Sequence, residues 1–309
     1  ETAEPLGVIL STHVIRLGTD IGLMQSTSVA IESTLWGTTA TAAIFIFARA
    51  ISPEWPLRFF MLTLAPYVVL WCGYPEKGTP KSVALICWYV CVTTLMFRRE
   101  TRTRYALSNL FLSLMSLMHG SGLCWLPAHA WYVWRGKPLR ALTGVVLFLL
   151  PFAIPFAYYY TGAARLVGGS WGNVAAPWQW FKKYCITNCG YDFFSMTHLL
   201  DIVYFLAMFA PLAVLCLPET MANLKERNER WLALGALGWL FLAFTWFPVF
   251  GYLGDWDIFA GTPLVLSFLV VTVANRLMPA VEFRRLALAW ITICAAQTAL
   301  WWRFFKLPL

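Results

Sequence analysis

Carboxylates are scarce in this chain, and their positions are its first chemical signal. There are five aspartates: Asp20, Asp192, Asp201, Asp255 and Asp257. Two of them flank a tryptophan in Gly254-Asp255-Trp256-Asp257-Ile258-Phe259-Ala260. At this spacing in an extended turn, both carboxylates can face one site. Such a pair can hold a divalent metal ion through its oxygens, or one member can take a proton as general base. In an ordinary turn they would instead be solvated, with Asp257 capping the next helix. A second cluster, Gly73-Tyr74-Pro75-Glu76-Lys77-Gly78-Thr79-Pro80-Lys81, offers a carboxylate beside two lysines. Its lysines suit a phosphate, or plain interfacial anchoring. His198 and Asp201 stand three apart, on one helix face, where they suit a polar headgroup or a local hydrogen bond. His13 and Asp20 belong to an early amphipathic stretch.

The elements that must position these groups are apolar helices. Hydrophobic residues make up 60 % of the 309 and charged residues 12 %, against about 45–50 % and about 25 % in soluble domains. The mean hydropathy is +0.64. Apolar runs near the ~20-residue bilayer length recur along the chain. They fall roughly at 27–51, 57–73, 82–97, 105–118, 121–134, 139–160, 198–218, 231–250, 262–278 and 286–302. The reading is an all-α polytopic membrane protein with about nine to ten apolar segments, one transmembrane domain over residues 1–309. The runs are continuous rather than alternating, which argues against a β-barrel. A soluble enzyme, a disordered chain and a nucleic-acid-binding domain are excluded. The net charge of +8 is then a matter of sidedness.

Five basic clusters set that sidedness. They are Arg49 with Arg58, the run Arg98-Arg99-Glu100-Thr101-Arg102-Thr103-Arg104, Arg135 to Arg140, Lys225 to Arg230, and Arg276 to Arg285. Placing them inside puts every aspartate on the outer side, together with His13 and His198. His129 points toward the inner face. Residues 1–26, 73–81, 161–197 and 251–261 become outer loops. The longest, 161–197, carries Trp171, Trp178, Trp180 and Tyr184 and suits an interfacial segment. Between two basic loops, residues 105–134 are too few for two full crossings, so they should form a short hairpin turning at His119-Gly120-Ser121-Gly122. Glu32, inside the first span, needs a partner or a wet cavity. Six of the eight cysteines lie in or beside apolar segments; Cys185 and Cys189 stand four apart in the outer loop, suited to a local disulfide or to two free thiols.

In order along the chain stand His13, Gly73-Tyr74-Pro75-Glu76, the hairpin with His119 and Pro127, His198-Leu199-Leu200-Asp201, and Asp255-Trp256-Asp257-Ile258-Phe259-Ala260. In this order the chain resembles a branch of the GT-C-type polytopic membrane glycosyltransferases. The resemblance implies a GT-C-like fold and transfer of a sugar from a polyprenyl-phosphate sugar to an acceptor on the outer face of the inner (cytoplasmic) membrane. It also implies an acid close after a first span. Here that acid is Asp20, or it belongs to a span preceding residue 1. Asp255 and Asp257 would be the catalytic carboxylates, with a divalent metal ion as the cofactor they could hold. Glu76, Lys77, His198, Asp201, His13 and Trp256 would contact substrate, with Lys81, Arg165, Lys182 and Lys183 as further outer cations. The competing reading is a non-catalytic subunit of a larger membrane assembly that keeps the GT-C-like shape. Membrane lipid and other membrane subunits are the partners these readings imply, and nucleic acid is not among them.

Overall fold

The computed structural model describes residues 5–65, 79–136, 138–160, 196–245 and 261–305. Among them no strand occurs, as continuous apolar runs require. The helices are α1 (Pro5–Asp20), α2 (Gln25–Ile51), α3 (Trp55–Thr63), α4 (Thr79–Arg98), α5 (Arg102–Met118), α6 (Pro138–Leu149), α7 (Ala153–Tyr160), α8 (Met196–Phe209), α9 (Pro211–Ala222), α10 (Arg227–Thr245), α11 (Gly261–Leu277) and α12 (Ala280–Phe305).

Three stretches are long and apolar enough to cross a membrane: Gln25–Ile51, Lys81–Arg98 and Pro138–Pro155. Helices α8 and α9 would make a fourth, but they bend by 106° where they meet. The described residues therefore hold three or four such spans, not nine to ten. The apolar segments divide differently from the sequence reading. Residues 198–218 are broken at Ala210, because Pro211 opens the next helix and disfavours helical geometry in the residue before it. The run 57–73 contributes only the nine-residue α3 to the described chain. Residues 1–26, expected as an outer loop, contain α1. It packs back along α2 through a turn in which Gly22 has a φ of +84°. Leu6, Ile9 and Ser11 of its first half are buried.

The hairpin within residues 105–134 takes the expected turn. Helix α5 stops at His119, whose backbone is extended and whose Nδ1 accepts from the Ser121 amide at 3.2 Å. The return limb is a 3-10 turn (Gly120–Trp125), one turn of α-helix (Leu126–His129) and a π turn (Ala130–Trp134). It is an irregular run of short turns rather than one continuous helix. Gly122 sits directly on the α5 backbone, where a Cβ would clash with the Ser116 amide. On its other side the limb fits α10 at two glycines. A Cβ on Gly235 would run into the Trp125 ring, and one on Gly238 into the Cys124 carbonyl.

Helix α11 forms the centre. Every residue from Gly261 to Val271 is buried, the pattern of a helix enclosed on all sides. Its Phe268 meets Phe47 of α2 edge-on, with ring centroids 4.8 Å apart.

The five basic clusters meet one another. Arg140 pairs with Glu100 at 2.8 Å, and Arg227 donates to the Tyr132 carbonyl. Arg276 binds Glu229 at 2.7 Å. The buried Arg58 donates to Asn275 Oδ1 from Nε and Nη2, at 2.9 and 2.6 Å, and lies 3.8 Å over the Phe283 ring. Arg284 reaches Glu54 at 3.2 Å. These contacts tie the inter-helix segments into one basic end of the bundle, grouped as the charge pattern predicts.

Candidate functional site

Away from the basic end, α1, α2 and α4 bring three polar side chains together. Helices α2 and α4 run side by side in the same direction, and each carries an arginine in its last turn, Arg49 and Arg98. Near their other ends, Glu32 Oε1 meets Lys81 Nζ at 2.9 Å. Ser11 of α1 closes the triangle. It donates to Glu32 Oε2 at 3.1 Å and accepts from Lys81 Nζ at 2.8 Å. All three are buried. The local sequence makes room for this. Ser28, Ser33 and Gly37 are the buried small residues of α2 around Glu32. A buried charge is tolerable only when paired and hydrogen-bonded, and here each carboxylate oxygen has a donor. Sequence reading flagged Glu32 as needing a partner and Lys81 as a free cation for phosphate. The structure makes each the answer to the other.

Helices α8, α10 and α11 also meet at this end. His198, in the first turn of α8, is buried and stacks on Phe244 of α10, with ring centroids 5.4 Å apart and planes at 26°. Asp201 lies one turn later and is half-buried. Thr262 of α11 donates to the Trp239 carbonyl at 3.3 Å. His13 and Asp20 lie on exposed positions of α1, Asp20 as its last residue. Of these four, His13 and Asp20 thus belong to α1 and His198 and Asp201 to α8.

Glu76, Lys77, Asp255, Trp256 and Asp257 lie outside the described residues, as do Cys185, Cys189 and segment 161–195. What is described is their flanks. Lys81 begins just after the Glu76 motif, and Thr245 and Gly261 bracket the Asp255 motif. Lys81 and the Gly261 region both sit in the polar end just outlined. Among the described residues, no group of three or more His, Cys, Asp or Glu side chains could hold a metal ion.

One polar network escaped sequence reading. His129, expected to point toward the inner face, is fully enclosed in the core. Its Nδ1 lies 2.8 Å from the Tyr89 hydroxyl and its Nε2 lies 3.1 Å from Asn109 Oδ1. Asn109 Nδ2 donates to the Tyr105 carbonyl at 2.8 Å, and Trp134 Nε1 donates to Asn109 Oδ1 at 2.6 Å. Asn109 Oδ1 can only accept, so His129 donates to it from Nε2 and accepts at Nδ1 from the Tyr89 hydroxyl. Every member is satisfied, which suits a role in docking the return limb to α5. The partners are 20 to 40 residues apart, so no local periodicity could have paired them. No family model matches this chain, and neither a curated protein nor a solved structure shows significant similarity to it.

Proposed function

We propose that the chain is a polytopic membrane protein of GT-C-like architecture that transfers a sugar from a polyprenyl-phosphate sugar, at the membrane face opposite its basic end. One observation carries the reading. The basic clusters are tied together at one end, while the helix ends flanking the Glu76 and Asp255 motifs meet the Glu32–Lys81 pair or α10 and α11 away from it. By the positive-inside rule that polar end faces outward.

In this reading Asp257 deprotonates the acceptor hydroxyl. Were a divalent cation bound, Asp255 would be among the residues that hold it, and it would offset charge on the departing phosphate. Trp256 offers a face for the sugar ring. Lys81 is committed to Glu32, so the phosphate falls to Lys77. The test uses the protein in lipid nanodiscs with a short-chain polyprenyl-phosphate hexose and a panel of hydroxyl acceptors, and follows release of the polyprenyl phosphate. Asp257→Asn should cut turnover about 10²-fold or more with unchanged thermal stability. Asp192→Asn is the control and should behave like wild type. Full turnover by the Asp255→Asn, Asp257→Asn double variant would sink the proposal.

A second reading is favoured by a specific observation. Ser11, Glu32, Lys81 and His198 are all buried in helix–helix contacts, as in a membrane subunit that keeps a transferase-like shape without its chemistry. Absence of turnover in wild type, together with co-purification of fixed membrane subunits, would favour it.

A further inference from the structure

The basic end holds a surface that the transferase reading does not use. Four pieces of chain form it: the end of α4, the start of α5, the π turn with the start of α6, and the start of α10. Aromatic rings lie beneath its arginines. Arg135 lies 4.9 Å over the Trp131 ring, Arg140 lies 4.7 Å over Tyr105, and Arg227 lies 4.8 Å over Phe97. Arg227 is also bound to the Tyr132 carbonyl and lies within Coulombic reach of both Arg140 and Glu100. Glu100 neutralises a single guanidinium there, that of Arg140, and Glu229 of α10 is taken up by Arg276. The surface keeps an excess of fixed positive charge.

Two further observations point to what it takes. Nε and Nη2 of Arg140 form one edge of its guanidinium; both are buried and neither has a hydrogen-bond partner. That edge has the spacing of two phosphate oxygens. The side chain as a whole is 26 % exposed, so this buried edge lies close beneath the surface. Beside it, α6 is apolar on its outer side, with Leu139, Leu142 and Val146 exposed. Trp131, 57 % exposed, is the residue type that settles at headgroup depth. A cationic, aromatic-backed patch thus adjoins an exposed apolar helix.

We infer that this surface binds one anionic phospholipid, its phosphate on Arg140, Arg227 and Arg135 and its acyl chains along the exposed side of α6. The inference rests on the membrane reading and is independent of sugar transfer. Choline lipids carry a compensating cation that meets the same arginines, so the site discriminates by headgroup charge.

The experiment is native mass spectrometry of the full chain, released from detergent and titrated with phosphatidylglycerol or phosphatidylcholine. Wild type should retain one phosphatidylglycerol with a preference of about 10-fold or more over phosphatidylcholine. Arg140→Gln with Arg227→Gln should erase that preference. Glu100→Gln, which removes the competing anion, should raise it and guards against a variant that merely misfolds. Arg284→Gln with Arg285→Gln takes the same charge from α12 and should leave the preference intact. Three outcomes would overturn the inference: no headgroup preference in wild type, an equal loss in the α12 variant, or displacement of the lipid by millimolar inorganic phosphate, which would make this a site for a soluble anion.

Discussion

Lys81 Nζ lies 2.9 Å from Glu32 Oε1, and the two side chains are 1 % and 6 % exposed. The residues are 49 positions apart in the chain, on the neighbouring helices α2 and α4. Desolvating two ions is expensive, so their attraction offsets a cost that each would bear alone.

Removing one partner should therefore hurt more than removing both. Glu32→Gln or Lys81→Met is expected to cost about 3–5 kcal/mol, because it strands a buried charge. The triple change Glu32→Leu, Lys81→Leu, Ser11→Ala should recover most of that loss. Thermal unfolding in detergent reads the difference. A Lys81→Met variant as stable as wild type would mean that water reaches the carboxylate.

The notch between the return limb and α10 gives a second expectation. Gly238→Ala would press a methyl group on the Cys124 carbonyl, and Gly235→Ala on the enclosed Trp125 ring. Each should cost about 1–3 kcal/mol, as overpacking does. Leu237→Ala lies between them on an exposed position and should change little. Equal melting temperatures for all three would show that the limb does not seat against α10.

Acid sensitivity should centre on Glu229. Burial pushes its carboxyl up, but the bond to Arg276 and the amides of Lys225 and Glu226 outweigh it and hold the carboxyl below its ordinary 4.5. With the folded-state value lowered, the stabilisation is fully present above the ordinary carboxylate range. It fades as pH falls through the lowered value. Melting temperature against pH should thus drop in that acidic window for wild type, and Glu229→Gln should be less stable at neutral pH with a shallower drop. A steeper acid drop in the variant would contradict this.

The same residues show what a sequence can and cannot reveal. Helical class, the grouping of the basic clusters and the break at His119 were all legible, because composition, charge and glycine spacing are local signals. Pro211 marked the bend at Ala210, yet the apolar run across it hid the signal. The need of Glu32 for a partner was visible, but its identity was not, since pairing across helices depends on tertiary register. The His129–Asn109–Tyr89 network was invisible for the same reason. Of the candidate site, Asp255, Asp257, Glu76, Lys77 and Trp256 lie beyond the described residues, so their chemistry stands on sequence alone.

Helix α11 has a consequence for biogenesis. It is enclosed by α2, α3, α9 and α10, all of which leave the ribosome before it. Order of synthesis therefore runs against order of packing. Until residues 261–277 emerge, Phe47 and Trp239 lack the helix they pack against. Because chains are made at about 5–20 residues per second, that wait lasts only seconds, and α12 then follows α11 onto α3.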